Sequence, residues 1–228
     1  MLLLVTDTSG KHGSVGLVRS GHAAGNEAIQ LIESVPLAGG TFSAQLVPQI
    51  AGLLGKHGLG KENIDAFIVI SGPGSFTGLR VGLAAIKAMA EILSKPIVPV
   101  SLLEVVAVAG NAEGNVLALL DAGRGEVYAG EYEVSRYAAR VRNERLLPRS
   151  DFPSMAHGIV VSTPDAGLAE LARVAGLTAQ LVAADAETIA RVGWRKLNVG
   201  ETVSPEELEA NYIRRSDAEI FAKPPCGT

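Results

Sequence analysis

Apolar residues gather into short unbroken runs in the first third of the chain. Leu2 to Val5, closed by Thr6 and Asp7, predicts a strand over 2–7, and Ser14 to Val18 predicts a second beyond a polar turn at Gly10 to Gly13. Glu27 to Val35, with Ala28, Ile29, Leu31, Ile32 and Val35 apolar, predicts a third. After Gly39-Gly40 the period changes: Leu46, Ile50, Leu53 and Leu54 recur at helical spacing, so a helix capped by Ser43 is expected to run to about Lys56. Pro48 falls inside it and is expected to kink it or tighten its first turns. Ala66 to Ile70 reads as a buried strand, Leu79 to Leu93 as a helix, and Ile97 to Val100 as a further strand.

The second half predicts a helix over Leu102 to Ala109, strands over Val116 to Leu120 and Glu126 to Val134, and a polar-faced strand over Arg136 to Leu147. Helices are expected at Ala166 to Ala175 and Ala186 to Lys196. Ser204-Pro205-Glu206-Glu207 carries a helix-start signal: a cap, a proline in the first turn, then acids at the positive end of the dipole. Strands first and then alternating strand and helix point to an α/β protein, a mixed sheet with helices packed on it. A boundary is expected near 100, and residues after about 216 read as a tail.

Composition narrows the function classes. A chain of 228 residues, 47% hydrophobic and 19% charged, is long enough to bury a core and is not of disordered composition. A net charge of −4 argues against gripping nucleic acid alone through a broad basic surface. The single cysteine, Cys226, cannot form an intrachain disulfide and fits a reducing compartment. The apolar start lacks a basic region and is interrupted by Asp7, and 79–93 carries Arg80, Lys87 and Glu91. A soluble cytoplasmic protein with neither signal peptide nor membrane span is therefore expected.

The richest stretch is Ser71-Gly72-Pro73-Gly74-Ser75-Phe76-Thr77-Gly78-Leu79-Arg80-Val81-Gly82, a glycine turn from strand into helix. Such a turn lets the backbone approach something closely and aims free N–H groups at it. The spacing fits neither a Walker A loop nor a dinucleotide fingerprint, and Ser75 is not in a nucleophile elbow. A phosphate loop built from Gly72, Gly74, Ser75 and Thr77, and a merely tight connection, both remain open. Asp7-Thr8-Ser9 could contact phosphate or a hydrated metal, but as a spacing it reads more simply as an Asx turn ending a strand. Gly78 and Gly82, continued by Ala85 and Met89, put small residues on one helix face, for packing within the chain or against another subunit. His12, His22, His57 and His157 show no metal-ligand spacing and read as surface residues, and no nucleophile is paired with a base. Asp121 to Tyr128 reads as a hairpin with a glycine-rich turn.

These segments in order resemble the TsaB (YeaZ-like) family. The likeness lies in Asp7-Thr8-Ser9, the Gly72 to Gly82 segment, Lys95-Pro96-Ile97 and Val100-Ser101-Leu102-Leu103-Glu104, and resumes at Asp121-Ala122, Gly125-Glu126-Val127-Tyr128 and Asn211-Tyr212-Ile213-Arg214. The chain departs from the family's pattern at Gly123, where arginine is usual, at Ala210, often proline, and near Phe42, where a histidine is common.

The resemblance implies an actin, sugar kinase and chaperone ATPase-like (ASKHA) α/β fold of two related subdomains, 1–100 and 101–215, followed by the 216–228 tail. It implies a non-catalytic dimerization or scaffold subunit supporting TsaD. TsaD transfers threonylcarbamoyl to N6 of adenosine in tRNAs that read codons beginning with A. Where that relative has a metal-binding histidine pair, this chain has Leu102 and Val106. No cofactor of its own is implied; ATP and metal are expected on partner subunits, with Asp7, Thr8, Ser9, Gly72, Gly74, Ser75 and Thr77 as a vestigial phosphate contact. Implied partners are TsaD and TsaE, a second copy of the chain in isolation, and tRNA only within the complex. The interface is expected on Leu46, Gln49, Ile50, Leu53, Gly78, Gly82, Ala85 and Met89, so that Gly82→Leu should break partner binding and leave the subunit folded. The rival reading is a nucleotide-dependent phosphotransferase or hydrolase of the same fold using Asp7 with magnesium; a peptidase finds no residues to work with.

Overall fold

The computed structural model describes residues 1–23, 26–136, 138–156 and 158–214. Two five-stranded sheets of one topology divide them. The first is built from β1 (Leu2–Asp7), β2 (His12–Ala23), β3 (Asn26–Ala38), β4 (Ala66–Gly72) and β5 (Ile97–Ser101), in the order β3-β2-β1-β4-β5. The second is built from β6 (Gly114–Gly123), β7 (Glu126–Ser135), β8 (Ala138–Pro148), β9 (Val160–Thr163) and β10 (Ala179–Leu181), in the order β10-β9-β6-β7-β8. In each sheet the first three strands pair antiparallel and the last two join in parallel. This is the pair of related α/β subdomains implied by the ASKHA resemblance.

Helices fall at matching places in the two halves. α1 (Phe42–Lys56) precedes β4 as the single turn α4 (Phe152–Met155) precedes β9; α2 (Phe76–Leu93) precedes β5 as α5 (Ala166–Val174) precedes β10. α1 and α2 bury Leu46, Ile50, Leu53, Leu83 and Ile86 against one face of the first sheet. The helices that follow each sheet exchange places. α3 (Leu102–Ala109) packs on the second sheet, and α6 (Ala186–Asn198) returns to cover the other face of the first. β4, enclosed on both faces, is buried along its whole length, as a central parallel strand should be.

The hydrophobic runs lie where the periodicity puts them, with differences at the ends. α1 starts at Phe42: the Thr41 carbonyl accepts from the N–H groups of Ala44 and Gln45, while the Thr41 hydroxyl donates back to the Ala38 carbonyl. Ser43 is thus inside the first turn and is not the cap. Pro48 stays within the helix on its exposed side. α2 begins earlier than its apolar stripe because the Ser75 hydroxyl accepts from Gly78 N–H at 3.3 Å. The signal at Ser204 forms its reciprocal capping bonds with Glu207, at 3.0 and 3.3 Å, yet no helix follows. Leu208 enters the core beside α1 and α2, and the chain then extends across the molecule. The short strands β9 and β10 were not foreseen, four and three residues being too few to show a period. Of the histidines, His12 is exposed and His57 lies 2.8 Å from Glu33. His157, the His22 side chain and the expected tail lie outside the described residues.

Candidate functional site

A cleft of about 990 Å³ opens between the two sheets. From the first sheet its wall takes Ser9, Gly10 and Lys11 in the β1–β2 turn and Gly74 to Gly78 at the start of α2; from the second it takes Asp121, Ala122, Arg124 and Tyr128 at the β6–β7 turn. Arg124 and Gly125 turn that hairpin with φ of +57° and +78°, the paired positive angles that a two-residue hairpin loop favours. The stretch Asn211 to Arg214 lines the same cleft and carried no predicted role beyond the family resemblance.

Asp7, Thr8 and Ser9 form one tightly bonded turn. Asp7 Oδ1 accepts from Ser9 N–H at 2.8 Å and from Ser9 Oγ at 2.6 Å, the Asx turn that the short motif suggests. Burial raises the Asp7 carboxyl above its ordinary value, and the two Ser9 hydrogen bonds pull against that rise. Ser75 N–H donates to the Ser9 carbonyl at 2.6 Å, so the glycine turn is knitted to the end of β1. A Cβ at Gly74 would lie 2.3 Å from that same carbonyl oxygen. The close approach the glycines permit is therefore, in large part, an approach to the chain's own backbone. Ser9, Gly74, Ser75 and Thr77 face the cleft, whereas Asp7, Thr8 and Gly72 are not part of its wall.

The expected interface residues separate into two groups. Leu46, Ile50 and Leu53 are buried in the core beneath α1, and Ala85 and Met89 lean on that core partly buried. Gln49 is exposed. Gly78 and Gly82 point inward: their Cβ atoms would meet the Thr8 carbonyl oxygen at 2.1 Å and Thr8 Oγ1 at 2.2 Å. Gly82→Leu would therefore strain the subunit itself, contrary to the expectation that it leaves the fold intact. The outward side of the neighbouring helices carries Ala44, Val47 and Ala51 from α1 and Ala84, Ala88 and Ile92 from α2, a band of small and apolar residues. Ile92 is 72% exposed and Val47 54%. The signal for this band was in the sequence, on the face opposite the strongest apolar stripe.

Leu102 and Val106 sit on α3 and pack into the core of the second half, Val106 fully buried. Among the described residues, no group of three or more His, Cys, Asp or Glu could hold a metal ion, and no helix is long and apolar enough to cross a membrane.

Known proteins agree with this architecture. Residues 36–145 match the family model of TsaD, tRNA N6-adenosine threonylcarbamoyltransferase. The chain is similar to the tRNA threonylcarbamoyladenosine biosynthesis protein TsaB of Bacillus subtilis, 31% identical over 134 residues, covering 58% of this chain and 56% of the relative. It is 36% identical over 131 residues to TsaB of Haemophilus influenzae, covering 56% of this chain and 52% of the relative. The chain thus spans about half the length of the curated relatives it matches. The solved structure of YeaZ from Pseudomonas aeruginosa superposes with a TM-score of 0.72 at 24% identity, covering 92% of this chain and all of that one. Two matching mixed sheets facing each other across a cleft give this chain an ASKHA-like fold. Within that class the chain is similar to the TsaB proteins and to YeaZ.

Proposed function

We propose that the chain is a non-catalytic scaffold subunit that supports a TsaD enzyme in threonylcarbamoyl transfer to N6 of adenosine in tRNAs reading codons that begin with A. The observation that carries this reading is the exposed apolar band across α1 and α2, on a chain similar to TsaB proteins. Small side chains such as Ala84 and Ala88 let a second helix pair approach closely, and Val47 and Ile92 add apolar area to the contact. The same band would serve a homodimer when the partner is absent. On this reading TsaE joins the assembly, ATP and metal belong to the partner subunits, and tRNA is engaged in the complex, in the cytoplasm. Leu102 and Val106 carry no metal-ligating atoms, and Asp7 is occupied by its own turn, which favours a structural role over metal or phosphate chemistry.

The test is threonylcarbamoyl transfer to tRNA by matching TsaD and TsaE, supplied with threonine, bicarbonate, ATP and the adenylate-forming enzyme, with and without this chain. The expected outcome is modification only when the chain is present, and no tRNA modification or ATP turnover by the chain alone. Equal modification without it, or ATP hydrolysis by the isolated chain, would overturn the scaffold reading. The second of these results would favour the phosphotransferase or hydrolase.

A further inference from the structure

Residues 203–214 cross from one sheet to the other and touch both. Val203 bridges antiparallel to Ile97 at the edge of the first sheet, its N–H donating to the Ile97 carbonyl at 2.9 Å. Asn211 N–H donates to the Ser71 carbonyl at 2.7 Å, directly over the glycine turn. A Cβ at Gly72 would lie 2.6 Å from the Asn211 carbonyl oxygen, so the segment lies on a residue that must lack a side chain. Arg214 then reaches the second sheet, donating to the Ala122 carbonyl at 2.9 Å and pairing with Glu126.

One carboxylate holds the crossing point. Glu144, on β8 of the second sheet, accepts from the Asn211 carboxamide at 2.7 Å through Oε2. Through Oε1 it accepts from Ser101 Oγ at 2.6 Å, at the end of the first sheet, and from the Tyr132 hydroxyl within its own sheet. Three donors from three parts of the chain converge on one side chain, an arrangement that fixes relative position rather than adding a surface ion pair.

The other end of the crossing reaches the outside. The Tyr212 ring lies 4.7 Å from the Phe76 ring at the start of α2, and Tyr212 OH accepts from Arg80 Nε at 3.2 Å. The Arg80 guanidinium covers Phe76 at 3.7 Å. Arg80 is exposed and stands one helical turn before Ala84 and two before Ala88, on the row of α2 that forms the apolar band. A body lying on Ala84 and Ala88 also meets Arg80, and through it Tyr212.

We propose that residues 203–214 are a strap that couples the outer face of α2 to the width of the cleft between the sheets, with Glu144 as its positioning residue. The coupling half rests on the docking surface proposed above; the positioning half does not. When a partner engages Arg80, Tyr212 shifts on Phe76, and the strap carries the change to Ser71 and Gly72 on one wall and to Ala122 and Glu126 on the other.

Hydrogen exchange read by mass spectrometry on the whole chain, free and with TsaD, tests both halves. Glu144→Gln keeps the shape and replaces one acceptor with a donor. It should raise exchange at 209–214 and at 72–75 by at least about tenfold while α5 exchanges as in the wild type. Wild-type exchange at 209–214 in that variant would show that Glu144 does not hold the strap. TsaD binding, measured separately by calorimetry, should change strap exchange in the wild type. Tyr212→Phe keeps the ring on Phe76 but loses the Arg80 bond, so it should bind TsaD yet lose most of that change. Binding that leaves the wild-type strap unchanged would overturn the coupling. Absence of binding would instead overturn the docking reading and the coupling with it, leaving the Glu144 result to judge the positioning role alone.

Discussion

Thr8 is pressed between β1 and the first turns of α2. Gly78 and Gly82 leave room for its carbonyl and its hydroxyl, and a Cβ at position 82 would stand 2.2 Å from Oγ1. Gly82→Ala should therefore lower stability by about 1–3 kcal/mol in urea denaturation, although alanine favours a helix interior. Adding Thr8→Ala should recover part of that loss, because the offending atom belongs to a side chain. Gly52, also helical but with nothing within 4 Å of its Cβ position, is the control: Gly52→Ala should gain up to about 1 kcal/mol. The spacing of Gly78 and Gly82 was legible in the sequence as a place of close approach. What approaches was not, because Thr8 comes to the helix through the β1–β4 pairing and leaves no local mark.

α1 and α2 each present two faces with different assignments. The strong stripes, Leu46, Ile50 and Leu53 in α1 and Leu79, Leu83, Ile86 and Ala90 in α2, belong to the core. Their periodicity made both helices readable, and the same strength drew the expected interface to the buried side. The outer face carries few large apolar residues and so gives a weak pattern, yet it is the side left exposed. Ala88→Arg on this face should leave the thermal midpoint nearly unchanged, since the residue is exposed, and should weaken TsaD binding in calorimetry by at least about tenfold, near 1.4 kcal/mol. Unchanged affinity would move the docking surface elsewhere. The stretch at Ser204 was legible as a helix start. Its bonds with Glu207 form, but Leu208 is taken into the core and Asn211 bonds the Ser71 carbonyl, and no helix follows.

Across the whole molecule, the repeated strand order was not visible in the sequence, because topology repeats here without a repeated motif. The exchange of α3 and α6 was equally hidden, since each helix shows an apolar face but not which sheet will cover it. That exchange brings Glu104 of α3 to Lys196 of α6 at 3.4 Å, with Glu201, Glu144 and Tyr132 as the other ionisable neighbours. Burial lifts the Glu104 carboxyl from 4.5 to about 7, with Lys196 pulling it back down. A carboxyl with a raised folded pKa binds its proton more tightly in the native state. Its favourable contribution is present below the unfolded value and is lost as the pH climbs through the folded one. Urea midpoints should accordingly fall between about pH 5 and pH 8, and Glu104→Gln should flatten that decline. An unchanged slope in the variant would assign the pH dependence to other groups.

The return of α6 also orders events while the chain is being made. Residues through Ser101 supply every strand of the first sheet, but α1 and α2 cover only one of its faces. Leu3, Val5, Ile68 and Val98 on the other face find Ile189, Val192 and Trp194 only after the whole second sheet has left the ribosome. The N-terminal half therefore cannot mature ahead of the rest in the usual domain-by-domain order. Until α6 is made, the only buried helix side chains against that face are Val105 and Val108 of α3, so a chain cut short before α6 should expose apolar sheet surface rather than form a smaller stable lobe.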